Sequence, residues 1–119
     1  LMQKVATGGL FVSHELAHDR ARAARFEISA TGPIFGAKMR WPEAEARRRE
    51  ETALAIWGLD AATLRSFRGA GRGTRRPYRV PLRNAAVRAE AEGIRLAFEL
   101  PSGSYATVVL RELLRRTVR

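Results

Sequence analysis

The five residues His14-Glu-Leu-Ala-His18 have the HExxH spacing with which zinc peptidases hold their metal. On a helix this spacing would place two imidazoles on one face, with Glu15 set to activate a zinc-bound water. The surroundings argue against that chemistry. His14 and His18 are the chain's only histidines, so a third ligand would have to be a carboxylate such as Glu43 or Glu45. Only 13 residues precede the motif, too few for the sheet and upper lobe that frame such a site. Asp19 and Arg20 interrupt the apolar face that would bury the helix. The expectation is a chance match and no metal.

Other reactive groups are sparse. Cysteine is absent, which excludes disulfides and thiolate metal sites. Asp19 and Asp60 are the only aspartates; Asp60 reads as a helix cap, and Asp19 stands in a charged stretch without apolar shielding. Neither has the setting of an activated nucleophile. Gly69-Ala-Gly-Arg-Gly73 follows no strand and lacks the Lys-Ser/Thr ending of a phosphate loop, so it reads as a hinge, linker or RNA-facing loop. Trp41 and Trp57 fall at helical positions that suit a core rather than base stacking.

Charge points to a partner. The net charge is +10, and 20 of the 22 basic residues are arginine. Between Ala61 and Ala89 there is no acidic residue, while Arg65, Arg68, Arg72, Arg75, Arg76, Arg79, Arg83 and Arg88 all occur there. Each guanidinium offers a planar fork of donors suited to phosphate, so an RNA backbone is the expected partner. The alternative is a solvated face in an Ala- and Arg-rich chain. Leu1–Val12 lacks the basic start and long apolar run of a signal peptide, and no stretch has the length of a membrane span. These features suggest a cytoplasmic protein. Met2 stands behind Leu1, and the natural start is expected upstream.

The elements that must position these groups can be read in outline. Leu1–Val12, with Gly8-Gly9, predicts two short strands or a hairpin, and Ser13 a cap for a short helix through Ala24. Thr31-Gly32-Pro33 predicts a turn that interrupts Glu27–Phe35. Pro42–Trp57 predicts a helix with Glu43–Arg47 and Glu45–Arg49 pairs on its wet side, a buried stripe of Ala46, Ala53, Leu54 and Trp57, and a stop at Gly58. Asp60 caps a shorter helix to about Phe67. After the glycine segment the pattern turns to strands: Tyr78–Val87 is extended, and Ile94, Leu96, Phe98 and Leu100 alternate with Arg95, Ala97 and Glu99 so that one face is buried. Ser104 then caps a last helix that offers Val109, Leu110, Leu113 and Leu114 for packing. The class is α+β.

Leu100-Pro-Ser-Gly-Ser-Tyr-Ala-Thr-Val-Val-Leu-Arg-Glu-Leu-Leu114 has the form of a strand running into a tight turn and then a capped helix, and its first 14 residues closely resemble the C-terminal signature of TruD-type tRNA pseudouridine synthases, LPxGS(F/Y)ATxV(V/L)REL. Gly9-Leu-Phe-Val12 and Glu27-Ile-Ser-Ala-Thr-Gly-Pro-Ile-Phe-Gly36 resemble that family's "GGLFV" and "EISPTGPLFG" stretches, with Ala30 at a position where proline is common. Gly73-Thr-Arg-Arg-Pro-Tyr-Arg-Val80 resembles the stretch that returns from the family's insertion domain to its catalytic domain. The HExxH match falls in the variable connection between the first two. The ordered set covers most of the chain.

The resemblance implies a fragment of a two-domain pseudouridine synthase fold: residues 1–73 as the latter half of the insertion domain, and residues 74–119 as the closing strands and helix of the catalytic domain. It implies conversion of uridine 13 in the tRNA D arm to pseudouridine: the glycosidic bond breaks, the uracil rotates and C5 rejoins the ribose. The essential aspartate lies in a motif upstream of this region, no metal or organic cofactor is needed, and the complete protein is expected to be a monomer. The base must leave its stack, so the site needs an aromatic wall and backbone-gripping cations. By the same resemblance Gly103, Ser104 and Tyr105 form an active-site wall, Arg72, Arg75, Arg76 and Arg79 contact RNA, and Arg111 and Glu112 match an Arg-Glu pair. A structural ion pair is the alternative for Arg75 and Arg76. The alternative for the whole chain is a non-catalytic basic RNA-binding module, with a zinc hydrolase a distant third.

Overall fold

A computed structural model describes residues 1–67, 69 and 71–115; Arg68 of the basic window and Ala70 of the glycine segment lie outside them. Helices and strands are mixed, as the α+β class requires. The chain forms two compact units, Leu1–Arg79 and a second that begins at Val80.

The first unit is built on a four-stranded antiparallel sheet in the order β2-β1-β3-β4. Strands β1 (Met2–Lys4) and β2 (Leu10–Phe11) form the expected hairpin, closed by Gly8 N–H donating to Lys4 O (2.8 Å) and Lys4 N–H donating to Gly9 O (2.9 Å). Helix α1 (Leu16–Ala24) packs on β3 (Ile28–Ile34). Strand β3 runs without interruption through Thr31-Gly32-Pro33, where the residue types predict a turn. Pro33 is tolerated there opposite Arg75 of β4 (Thr74–Pro77), and Gly32 is small for a packing reason rather than a turning one. A Cβ on residue 32 would lie 2.7 Å from Tyr78 Cε1.

Helix α2 (Ala44–Ala55) begins later than the expected Pro42, with Glu43 at its N-cap. Glu43 is extended (φ −111°, ψ 169°) and Ala44 takes a left-handed φ of 50°, so the Trp41-Pro42 step stays outside the helix. The Glu45–Arg49 pair forms at 3.4 Å, whereas Arg47 pairs with Glu51 at 2.8 Å and places its guanidinium 5.5 Å from the Trp41 ring centre. Of the expected stripe only Leu54 is buried; Ala46 and Ala53 are exposed, and Trp57 is 79% exposed rather than core. The inward face of α2 is partly ionic instead, because Glu50 stands four residues before Leu54 and shares its side of the helix. Helix α3 (Ala61–Ser66) starts as expected, with Asp60 Oδ1 accepting from Thr63 N–H at 2.7 Å. The apolar core of this unit is Ile28, Met39, Leu54 and Leu64.

The second unit contains an antiparallel hairpin of β5 (Arg83–Glu90) and β6 (Gly93–Glu99), followed by helix α4 (Ala106–Leu114). The ladder is irregular between Arg83 and Ala86, where Asn84 takes a left-handed φ of 49°, a conformation that asparagine tolerates. Leu96 and Phe98 are half-buried and Ile94 is exposed, so the alternation is present but the face is not fully covered. Among the described residues, none of β5, β6 or α4 is buried.

Candidate nucleic-acid interface

Strand alternation divides the arginines of Gly71–Arg79 between two faces of the sheet. Arg75 turns inward and is 2% exposed. Its Nε donates to Thr31 Oγ1 (2.8 Å), Nη2 to Thr31 O (3.0 Å), and Nη1 to Arg40 O (3.2 Å) and Glu50 Oε2 (2.9 Å). A second bond, from Nη2 to Glu50 Oε1, makes the pair bidentate. Every nitrogen of this guanidinium is thus engaged inside the protein. Arg75 is placed as a structural ion pair and does not present its fork to a phosphate.

Arg76, next along the strand, is exposed, and among the described residues it has no carboxylate partner. Arg72 is likewise exposed and unpaired among the described residues, and its carbonyl accepts Lys38 N–H at 2.8 Å. Arg79 donates its backbone N–H to Ser29 Oγ (3.1 Å) and holds its guanidinium 4.6 Å from the centre of the Phe26 ring. Arg72, Arg76 and Arg79 therefore stand at the surface, and Arg75 fastens the strand beneath them.

The glycine segment leading into this strand is packed against Gly36–Lys38 at its described end. Ala37 N–H donates to Gly71 O (2.9 Å), and the backbones of Gly36 and Gly73 lie so close that a Cβ on residue 73 would meet Gly36 N at 2.6 Å. Gly71 and Gly73 have φ of 72° and 76°, which glycine adopts without strain. Thr74–Pro77 pairs with β3, so the first unit continues past Gly73 to Arg79.

In the second unit the Leu100–Leu114 segment contains the expected tight turn. Ser104 N–H donates to Pro101 O (3.1 Å), and Gly103 has a φ of 84°, the conformation of the third position in a type II turn. Among the described residues no atom lies within 4 Å of the site of a Gly103 Cβ, so this glycine serves the backbone angle and not close packing. Helix α4 starts one residue later than expected: Tyr105, not Ser104, is at the N-cap, and its side chain makes no capping hydrogen bond. The Tyr105 ring is 74% exposed. Gly103 and Tyr105 are open to solvent and Ser104 is half-buried; Arg111 and Glu112 are exposed and form no ion pair among the described residues.

His14 precedes α1, so the two histidines do not share a helical face, and among the described residues no group of three His, Cys, Asp or Glu side chains could hold a metal. Asp19 is better shielded than its charged neighbours suggest, at 7% exposure. Ser13 Oγ donates to its Oδ2 (2.6 Å) and Arg22 Nη1 to its Oδ1 (3.0 Å). The Ser13 hydroxyl is the largest single cause that holds this carboxyl below its ordinary range; burial opposes it, and the Arg22 hydrogen bond and charge add to it. Ser13 thus bonds the first turn of α1 through Asp19 rather than capping it. Tyr78 was not singled out by the residue pattern, yet it is 70% exposed on the same stretch as Arg76 and Arg79.

Comparison with known proteins places this architecture. The family model described as tRNA pseudouridine synthase D (TruD) matches residues 4–113. The tRNA pseudouridine synthase D of Anaeromyxobacter sp. (strain Fw109-5) is 44% identical over 115 residues, covering 97% of this chain and 33% of that protein. The Thermus thermophilus protein of the same name is 47% identical over 113 residues, 95% of this chain and 30% of its own length. A crystal structure of tRNA pseudouridine synthase D from Methanosarcina mazei is similar with a TM-score of 0.63 at 20% identity, over 91% of this chain and 27% of that one, which shows a shared fold. The chain spans about a third of the length of the curated relatives it matches. It belongs to the TruD family of tRNA pseudouridine synthases.

Proposed function

We propose that this chain is the C-terminal portion of an enzyme that isomerises uridine to pseudouridine in tRNA, at uridine 13 of the D arm. The observation that carries the reading is the family match through residues 4–113. The surface agrees with it: Arg72, Arg76 and Arg79 have no carboxylate partner among the described residues and suit a phosphate backbone.

In this reading the nucleophilic aspartate comes from a segment upstream. Both aspartates present have other work, Asp19 bound by Ser13 and Arg22 and Asp60 by Thr63. The first unit corresponds to the latter half of the insertion domain, with the passage to the catalytic domain after Arg79. The second contributes the closing hairpin and helix. Gly103, Ser104 and Tyr105 then form part of the wall of the site, with the exposed Tyr105 ring against the target base or the catalytic loop. No cofactor is invoked, and the complete protein acts as a cytoplasmic monomer. Among the described residues no helix is long and apolar enough to cross a membrane.

The test is release of tritium from C5-labelled uridine in an unmodified tRNA transcript. The 119-residue chain is compared with the same chain extended at its N-terminus by the preceding two thirds of the Thermus thermophilus relative. Activity in the extended protein alone supports the reading. Activity from the 119 residues alone would place the nucleophile within them and overturn it. Inactivity of both, with tRNA binding retained, favours the RNA-binding module.

A further inference from the structure

We infer that Tyr78, resting on Gly32 on the same side as Arg76, is a stacking platform for an unpaired RNA base, with the Arg76 guanidinium on a flanking phosphate. The inference rests on the RNA reading above and adds a site to it, on the first unit.

Three observations converge on these residues. First, the Tyr78 ring is 70% exposed, and among the described residues its hydroxyl has no hydrogen-bond partner, so neither burial nor a polar contact accounts for its position. Second, the ring is held in place. Tyr78 N–H donates to Ala30 O (2.9 Å), and Cε1, Cζ and Oη lie 2.7, 2.9 and 3.0 Å from where a Cβ of residue 32 would stand. A side chain at that position would displace the ring, so the glycine orders an aromatic group that remains open to solvent.

Third, Gly32 is the register partner of Arg76, and alternation along the chain puts Arg76 on the same side as Tyr78. Arg75, between the strand's outward positions, is turned into the core, leaving this side free of its carboxylate partner Glu50. An ordered aromatic beside an arginine that lacks a carboxylate is the combination by which single-stranded nucleic acid is held: stacking on the ring and charge on the backbone. A protein partner would have to bring an acidic group to this patch, and an apolar one would leave the cation unmatched.

The experiment measures binding of the 119-residue chain to a fluorescent unmodified tRNA transcript across a salt series, with a blunt RNA duplex and heparin as controls. The variants are Tyr78→Ala, Tyr78→Leu, Tyr78→Phe, Gly32→Ala and Arg76→Ala. Tyr78→Ala is expected to weaken tRNA binding about tenfold without changing the salt slope. Tyr78→Leu, which keeps apolar bulk but lacks the π face, should lose as much, while Tyr78→Phe stays within about twofold. Gly32→Ala, which moves the ring without removing it, should also weaken tRNA binding. Duplex binding should respond to Arg76→Ala and not to Tyr78.

Circular dichroism confirms that each variant is folded; if Tyr78→Ala is not, Tyr78→Leu and Tyr78→Phe decide. Equal tRNA affinity for Tyr78→Leu and wild type, with Arg76→Ala lowering the salt slope, would overturn the platform and leave the RNA reading standing. A wild-type chain that binds heparin as well as tRNA would overturn both.

Discussion

Arg75 and Glu50 form a buried bidentate ion pair that joins β4 to α2. Both Arg75 Nη atoms reach the carboxylate, and the same guanidinium bonds the hydroxyl and carbonyl oxygens of Thr31 on β3. One side chain therefore links two neighbouring strands, the Arg40 carbonyl and a helix whose only buried residue is Leu54. The pair compensates for the scarcity of apolar contacts on α2. Its geometry is demanding, because a planar fork meets a carboxylate and leaves no donor nitrogen unused.

Removing either partner should leave a buried charge without its counterpart. Glu50→Ala or Arg75→Ala is expected to cost about 3–5 kcal/mol of unfolding free energy, read from urea denaturation of the 119-residue chain. Arg75→Lys should recover only a minor part, since an ammonium cannot meet Glu50 and Thr31 together. Wild-type stability in Arg75→Ala would show that the pair does not hold α2 to the sheet.

The neighbouring arginine should behave in the opposite way. Arg76→Ala removes an exposed cation, so thermal unfolding should stay close to wild type while the dependence of tRNA affinity on salt falls by about one unit of log–log slope. Arg72→Ala should do the same. A salt slope that is unchanged in Arg76→Ala would exclude this side chain as a phosphate contact.

Much of this arrangement was legible in the residues. Gly8-Gly9, Asp60 and the Leu100–Leu114 segment read as a hairpin turn, a cap and a strand–turn–helix, because each uses local chemistry that a few neighbouring residues determine. Features set by distant partners did not show. Thr31-Gly32-Pro33 has the composition of a turn, and only Tyr78 explains its glycine. Arg75 and Arg76 are adjacent and chemically identical, and the sheet alone sends one inside and one out. Nothing in the residues around Glu50 marks it for Arg75, its partner 25 positions later. The alternation in β6 was visible, but the extent of its burial is not a property of one strand.

Two glycines should fail for different reasons when given a methyl group. Gly103→Ala meets no neighbour among the described residues but is forced to keep a φ of 84°, at a cost of about 1–2 kcal/mol in the turn. Gly103→Asn should be milder, since asparagine enters that region more readily. Gly36→Ala has no unusual φ but drives a Cβ into the backbone of Gly73, which cannot yield as a side chain could. Gly36→Ala should therefore disturb the whole first unit, with loss of cooperative unfolding, and Gly103→Ala only the second. Hydrogen exchange resolves the two cases; equal effects on both units from either variant would contradict this division.

The acid limb of the stability curve should carry a contribution from Asp19. Its carboxyl sits below its ordinary range in the folded chain; the Ser13 Oγ hydrogen bond is the largest single cause, partial burial works the other way, and the Arg22 hydrogen bond and charge add to the lowering. A depressed folded pKa means that the unfolded state binds a proton more readily, so stability rises with pH across the gap between the two values. The contribution is fully present above the ordinary aspartate value near pH 4 and disappears as pH falls through the lower folded value. Asp19→Asn removes the titrating group and should flatten this part of the curve, with a melting temperature that varies less between about pH 5 and pH 2 than that of wild type. Ser13→Ala removes the largest cause of the shift but keeps the Arg22 contact, so it should narrow the window rather than abolish it. Glu27, Glu90 and Asp60 are held low by their own partners and keep their share of the acid sensitivity in both variants. An unaltered pH profile in Asp19→Asn would mean that Ser13, Asp19 and Arg22 do not act together at the start of α1.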